Sequence, residues 1–321
     1  MKLGVMNPAV AHLSFEEALK YLHGLGVQCI EIGAGGYPGN AHLKPEELVG
    51  NAAKIAEYKQ LLERYEIEIS AISCHGNPLH PQKEIAEKFH NEFKGAILAA
   101  EALGVDTVIG FSGCPGDHDG AKYPNWVTCA WPDDYAKILE WQWSEKVIPY
   151  WKDMAEFAKS HKVTKIAFEM HPGFVVYNPS SLLKLREAVG DIIGANFDPS
   201  HLFWQGIDPC EAIRALEGAI YHFHAKDTKI YDTNCKVNGV LDTKSLGSLK
   251  DRSWLFRTVG YGHDKDVWND MVSTLRMTGY DGALSIEHED ALMSPKEGLE
   301  KAIEFLKEVL IFEGQGEMWW V

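Results

Sequence analysis

The sequence has no uninterrupted apolar stretch that approaches the roughly 20 residues a membrane-spanning helix needs, so we expect no membrane partner. Its first residues, MKLGVMNPAV, carry no long apolar segment of the kind found in a secretory signal. None of the six cysteines forms a CxxC pair, and a chain of 321 residues can bury a core without disulfides. These absences favour a cytoplasmic protein with reduced thiols.

Positive charge is also scarce. Lysine and arginine number 31 against 46 aspartate and glutamate residues, which gives a net charge of −15. No basic patch interrupts this balance, so the chain would repel nucleic-acid phosphates, and we expect no nucleic-acid partner. A dinucleotide loop is absent as well, because the glycine-rich segment 33–38 is not followed directly by a helix.

Short apolar runs alternate with amphipathic helical segments from one end of the chain to the other. The eight runs typical of buried parallel strands are 2–6, 29–33, 68–74, 107–111, 165–169, 193–198, 220–225 and 283–287. Helix starts are marked by capping patterns such as Ser14 with Glu17. This order predicts an α/β protein, a single (β/α)8 TIM barrel spanning residues 1–321. A doubly wound open sheet is the alternative, because periodicity does not prove closure.

Two connections, after strands 4 and 7, are unusually long for a barrel of this kind. They span 112–148 and 228–266 and contain the aromatic residues Trp126, Trp131, Trp254 and Phe256. Long loops in compact domains are usually lids or oligomer contacts. We expect them to cover the barrel mouth or to meet a partner, in a homo-oligomer or a complex with another subunit. The C-terminal Trp319–Trp320 pair is expected to dock on the barrel or on a second subunit.

The last four predicted strands each end in a residue of the metal-binding type. These residues are Glu169, Asp198, His224 and Glu287. In a barrel these strand ends meet at one mouth. A single glutamate or histidine at such a place is more often structural, but three carboxylates buried together without a cation would be very costly. The set predicts a divalent metal site, with Mn²⁺ favoured and Mg²⁺, Co²⁺ or Zn²⁺ as alternatives.

The motifs around these residues, FEMHPG, NFDPSH, HFHAKD and SIEHED, resemble the xylose isomerase-like TIM-barrel family of sugar phosphate isomerases and epimerases. The resemblance implies that Glu169, Asp198, His224 and Glu287 are the metal ligands. It also implies that Glu169 and Glu287 act as acid and base. His201 matches a histidine that contacts substrate or a second metal. Family members include isomerases, epimerases, dehydratases and a DNA-repair nuclease, so the resemblance does not specify the substrate.

Several further side chains near the predicted mouth are candidates for substrate binding. They are His171, His201, Lys226, His75 and Trp126. Each has a structural alternative: His171 in its loop, Lys226 in an ion pair, and His75 in packing. Trp126 could stack on a sugar face or serve as an interface anchor. His222 shares a strand face with His224 but lies deeper, which favours a role in the barrel core.

A metal between two glutamates suits proton abstraction next to a metal-bound carbonyl, through an enediolate. We therefore predict an isomerase or epimerase acting on a sugar or keto-sugar. A lyase that cleaves a 3-keto-glycoside by β-elimination is the alternative, with His201 or His171 as the acid. A nuclease is a third class, but the net charge and the lack of an Asp-x-His pair after His224 argue against it. The intact acid/base glutamates argue against a non-catalytic carbohydrate-binding module.

Overall fold

Eight parallel strands close into a barrel in a computed structural model that describes residues 1–314 and 316–321. The strands of the chain are β1 Lys2–Met6, β2 Cys29–Gly33, β3 Glu68–Ser73, β4 Thr107–Gly110, β5 Lys165–Glu169, β6 Ile193–Phe197, β7 Ile220–Ala225, β8 Asp227–Ile230, β9 Trp254–Arg257 and β10 Ala283–Ile286. Around the barrel the order is β1-β10-β7-β6-β5-β4-β3-β2, so closure joins β1 to β10. The predicted (β/α)8 barrel is confirmed, and the open sheet is wrong.

Helices surround the barrel, and α1 begins directly after Ser14, as its capping pattern predicts. They are α1 Phe15–Gly24, α2 Pro45–Leu48, α3 Ala52–Arg64, α4 Lys83–Leu103, α5 Asp133–Trp141, α6 Ile148–Ser160, α7 Pro179–Val189, α8 Pro199–Gln205, α9 Pro209–Ala215, α10 Asp232–Asn238, α11 Lys265–Met277 and α12 Pro295–Val309. A 3₁₀ turn covers Asn7–Val10, and a π-helical turn covers Gln142–Val147. The Ser14 hydroxyl caps α1, with Glu17 completing the capping box.

The barrel interior changes character along its axis. A small apolar layer of Ala71, Ile109 and Ala167 fills one level. Successive side chains alternate between the two faces of a strand, so Glu169 shares the inner face with Ala167, two residues earlier. The main apolar core lies instead between the strands and the surrounding helices. The interior is therefore free to hold charged side chains at the carboxyl ends of the strands.

The connection 228–266 is more ordered than its length suggests. Strands β8 and β9 form an antiparallel pair in which Thr228 faces Phe256. The Trp254 ring stacks on Trp204 at 4.7 Å and is only 8% exposed. Trp254 is therefore buried against its own chain.

Other aromatic side chains stay in contact with solvent. Trp131, in the connection 112–148, is 76% exposed. Trp319 and Trp320 are 86% and 67% exposed, so docking of this pair on the barrel is wrong, while docking on a second subunit stays a prediction. Among the described residues, no helix combines the length and apolar character required to cross a bilayer.

Candidate functional site

Four side chains from the second half of the barrel converge at its mouth. Glu169 ends β5, Asp198 follows β6 and caps α8, His224 lies in β7, and Glu287 follows β10. One ligand atom from each lies within 4.8 Å of the others, and Glu169, Asp198 and His224 are at most 2% exposed. The parallel register brings strand ends together, as the sequence predicts. The donors form a mostly oxygen set suited to a hard divalent cation.

Three histidines contact these carboxylates. His224 Nδ1 lies 3.0 Å from Glu287 Oε2 and 3.4 Å from Glu169 Oε2. His201 Nε2 lies 2.9 Å from Glu169 Oε1, and His75 Nε2 lies 3.0 Å from Glu169 Oε2. Glu169 thus accepts contacts on both of its oxygens, which fixes the direction of the carboxylate. His75, for which a packing role was equally open, lies inside the site.

Lys226 places its ammonium among three carboxylates. Its Nζ lies 3.1 Å from Asp198 Oδ2, 2.8 Å from Glu287 Oε2 and 3.1 Å from Glu289 Oε2. Burial alone would lower the lysine pKa, but these carboxylates raise it well above its ordinary value. Lys226 is therefore a permanent cation that directs donors toward the cavity.

The electrostatic environment keeps the carboxylates ionised. Burial alone would raise the pKa of Glu169, yet the close contacts with His201, His224 and His75 hold that pKa well below its usual range. The pKa of Glu287 is also lowered, because Lys226 and His224 outweigh burial and the Glu169 charge. The His224 pKa is raised well above 6.5, since Glu31 and Glu287 overcome the effect of burial. The cluster therefore presents anionic oxygens.

Two atoms of the cluster lack an aligned partner, which is the test of whether a metal fits. Asp198 Oδ2 and His224 Nδ1 are buried and have no hydrogen bond of acceptable geometry from the described part of the chain. Charged neighbours come within about the same distance as a hydrogen bond but are not aligned for one. Buried unpaired polar atoms are costly, and a coordinated cation would satisfy both once Nδ1 of His224 has released its hydrogen. The donor set fits a divalent ion.

A cavity of about 190 Å³ opens above these residues. Its charged side is lined by Glu169, Lys226, Glu287 and Glu289, together with His75 and His171. Its apolar lining comes from the first half of the barrel: Met6, Pro8, Ala9, Tyr37, Pro38 and Phe111. A lining with both polar and apolar residues suits a sugar ring, which presents hydroxyl groups and C–H faces.

His171 lines the cavity next to His201, with the ring centroids 4.1 Å apart. Burial, helped by the His201 and Lys226 charges, lowers the His171 pKa to about 3. This histidine is therefore neutral at pH 7. Its Nδ1 donates to the Pro172 carbonyl oxygen at 2.6 Å, so Nε2 is left to accept a hydrogen bond. Trp126 is the one candidate placed apart: it packs edge-to-face against Tyr177 at 5.5 Å, outside the cavity lining.

One buried residue of the site was missed by sequence reasoning. Glu31, in the middle of β2, is 0% exposed, and its Oε2 lies 2.9 Å from Nε2 of His224. The available signal was a charged residue inside CIEIG, a strand that is otherwise apolar and buried. His222, predicted to belong to the core, indeed contacts Asn196 and Ser70 in the interior.

The fold agrees with the comparison to known proteins. Residues 19–309 match the family model described as xylose isomerase-like TIM barrel, and the chain belongs to that family. The chain is 39% identical over 312 residues to the protein YfiH of Bacillus subtilis, across 97% of this chain and 99% of that one. Over 168 residues it is 29% identical to an inosose dehydratase of Clostridium perfringens, covering 49% of this chain and 54% of the relative.

Solved structures extend the likeness of the fold. A D-tagatose 3-epimerase-like protein aligns with a TM-score of 0.64 at 21% identity, over 96% of this chain and 98% of that one. The IOLI protein, solved with a zinc atom, aligns with a TM-score of 0.65 at 20% identity, over 96% of each chain. At these identities the likeness establishes the barrel and leaves the substrate open.

Proposed function

We propose that this protein is a divalent-metal-dependent keto-sugar isomerase or epimerase that works by proton abstraction beside a carbonyl. The observation that carries the proposal is the pair Glu169 and Glu287, both facing His224 Nδ1 and both held ionised at the cavity floor. An ionised glutamate in hydrogen-bond reach of a substrate is a suitable base. Two of them allow a proton to leave one face of a carbon and return to the other.

Glu169, Asp198, His224 and Glu287 would hold the metal, with Mn²⁺ favoured by the three carboxylates. When bound, the ion supplies a Lewis acid that polarises a carbonyl and offsets the negative charge of an enediolate. The chain's own residues do the rest. Glu169 or Glu287 takes the carbon-bound proton, Lys226 donates hydrogen bonds to substrate oxygens, and His171 Nε2 accepts one from a substrate hydroxyl. His75 and His201 keep Glu169 aimed into the cavity.

The charges around the cavity favour an uncharged substrate. Four carboxylates, those of Glu169, Asp198, Glu287 and Glu289, lie around the Lys226 ammonium. A divalent ion plus this lysine supplies three positive charges, so no excess positive charge remains for a phosphate or carboxylate. A neutral keto-sugar fits, with its C–H face against Tyr37 and Phe111.

A lyase that expels a group by β-elimination from a 3-keto-glycoside is the second candidate. It shares the first proton abstraction and differs only in the fate of the resulting carbanion. The likeness to the inosose dehydratase, over about half of that protein, supports it. His201, whose ring centroid lies 4.1 Å from that of His171, is the candidate to protonate a leaving oxygen, whereas neutral His171 has no proton to supply at pH 7.

Exchange of a substrate hydrogen with solvent tests the shared step. The protein is loaded with Mn²⁺ and incubated in deuterium oxide with keto-sugars and 3-keto-glycosides side by side. Deuterium in an intact sugar supports the isomerase or epimerase, whereas release of an aglycone or water supports the lyase. If turnover occurs without deuterium uptake, the reaction is repeated with a substrate that carries deuterium on the carbon next to the carbonyl. The absence of a kinetic isotope effect in that reaction, under conditions where chemistry limits the rate, would overturn proton abstraction.

The exposed aromatic residues support assembly with a second copy of the chain or with another subunit. Trp131, Trp319 and Trp320 are too exposed to be typical of an isolated protein. We expect light scattering to give a mass above 35.9 kDa. The double variant Trp319→Ser, Trp320→Ser should lower that mass if the tail forms the contact, and a monodisperse wild-type monomer would contradict the homo-oligomer.

A further inference from the structure

The buried carboxylate of Glu31 contacts a proposed metal ligand from the side opposite the cluster. Its Oε2 lies 2.9 Å from His224 Nε2, and both residues are 0% exposed. We propose that Glu31 is a positioning residue that sets the ring orientation of His224, so that Nδ1 faces Glu169, Asp198 and Glu287. This inference rests on the proposed metal site and adds a residue from the other half of the barrel.

The two ring nitrogens of His224 have divided surroundings. Nε2 faces Glu31 alone at short range, whereas Nδ1 faces Glu287 Oε2 at 3.0 Å and Glu169 Oε2 at 3.4 Å. An ionised carboxylate only accepts hydrogen bonds, so Nε2 carries the hydrogen that it donates to Glu31. In the neutral ring the lone pair then lies on Nδ1, the nitrogen that points at the metal ligands. If the imidazole ring were flipped by 180°, its N–H would point at the metal ligands instead of the lone pair.

A carboxylate in this place needs such a partner. Glu31 is the only charged residue of β2, and its neighbours in the strand, Ile30 and Ile32, are fully buried in the apolar core. A buried ionised group without compensation is strongly destabilising. The Nε2–H of His224, 2.9 Å from Glu31 Oε2, provides this compensation, and the neutral ring that binds a metal can donate it as well as the protonated one.

A second metal ion bound by Glu31, His222 and His224 is the competing interpretation, because their donor atoms also lie close together. The contacts of His222 argue against it. Its Nδ1 lies 3.0 Å from Asn196 Oδ1 and its Nε2 lies 3.2 Å from Ser70 Oγ, so both nitrogens already have protein partners. The distance from His222 Nδ1 to Glu31 Oε2 is longer, at 3.8 Å. Glu31 therefore orients a ligand and does not itself bind metal.

Metal affinity of purified protein, measured by calorimetry with Mn²⁺ and Zn²⁺, tests the proposal without reference to activity. Glu31→Leu should weaken binding by about 10- to 100-fold, the effect typical of an outer-shell partner. Glu31→Gln keeps a hydrogen-bond acceptor and should therefore lose less metal affinity than Glu31→Leu. Ser73→Ala, a buried change on β3 outside these contacts, is the matched control and should bind like wild type. Thermal melts without metal show whether each variant folds. If Glu31→Leu does not fold, the metal affinity of Glu31→Gln tests the proposal.

Unchanged affinity in both Glu31 variants would overturn the proposal. So would two ions per wild-type chain that fall to one in Glu31→Gln, since Glu31 would then be a ligand. Crystal structures of the metal-free proteins provide an independent readout: the His224 ring should keep its orientation in wild type and turn or lose order in Glu31→Leu. If wild type binds neither metal, the proposed function fails, and the ring orientation still decides the role of Glu31.

Discussion

The two halves of the barrel contribute different kinds of side chain to the mouth. Strands β5, β6, β7 and β10 deliver the four proposed metal ligands, Glu169, Asp198, His224 and Glu287. Strands β1 to β4 and their loops deliver an apolar wall, with Glu31 and His75 behind or beside the ligands. In the proposed mechanism, the second half carries out the chemistry, and the first half supplies substrate contact and support. Changes in the two halves should therefore have different kinetic effects.

The largest effect is expected in the second half. Glu169→Gln keeps the size of the side chain but removes the base, so solvent exchange at the substrate carbon should slow by at least ~10²-fold. Glu287→Gln should slow exchange likewise or weaken metal binding. Deuterium uptake followed by mass spectrometry measures both. Glu101→Gln, which changes a glutamate paired with His161 on the surface, is the control. If both Glu169→Gln and Glu287→Gln exchange at the wild-type rate, the proposed catalytic role of the second half is wrong.

Metal binding should depend on pH through His224. Its pKa is raised well above 6.5, so the metal-free ring is protonated at neutral pH and must release that proton to bind an ion. Affinity should therefore rise with pH, by up to about tenfold per pH unit for one released proton, and level off above the His224 pKa. Calorimetry in buffers of different ionisation enthalpy counts the proton. Affinity that falls with rising pH would contradict the assignment, and chelator should abolish turnover.

Substrate charge tests the cavity shared by the two halves. D-tagatose should be preferred over D-tagatose 6-phosphate by at least ~10-fold in kcat/KM, or in binding where neither is turned over, because the phosphate meets excess negative charge. Glu289→Gln, at a half-exposed carboxylate on the rim, should narrow that ratio. Preference for the phosphate in wild type would show that a cationic group outside the cavity lining determines specificity.

The extent to which the sequence predicts this site also differs between the halves. Glu169, Asp198, His224 and Glu287 each stand at the end of an apolar run, so strand register alone brings them together. Glu31 lies within its strand, and its closeness to His224 depends on barrel closure and on a register shift after Ile30 that a linear pattern does not contain. The apolar wall is equally hidden, since Tyr37 and Phe111 become neighbours only through long-range packing.

The smallest effect is expected at the apolar wall of the first half. Tyr37 lines the cavity and is 64% exposed, so Tyr37→Ala should leave the fold intact. The lost ring contact is worth about 0.5–1.5 kcal/mol, which corresponds to a KM roughly 2- to 10-fold higher. The kcat value should stay within about twofold, because the ring touches the substrate equally before and during proton transfer.

Tyr135→Ala, at an exposed tyrosine on α5 outside the cavity lining, is the matched control and should leave KM unchanged. Steady-state kinetics on the substrate identified by deuterium uptake measures both variants. If Tyr37→Ala lowered kcat and left KM constant, Tyr37 would act in the chemical step. The proposed assignment of catalysis to the second half and substrate contact to the first would then be wrong. A KM effect confined to Tyr37→Ala would instead separate substrate contact from catalysis, because Glu169→Gln changes the rate of proton removal and Tyr37→Ala changes only binding.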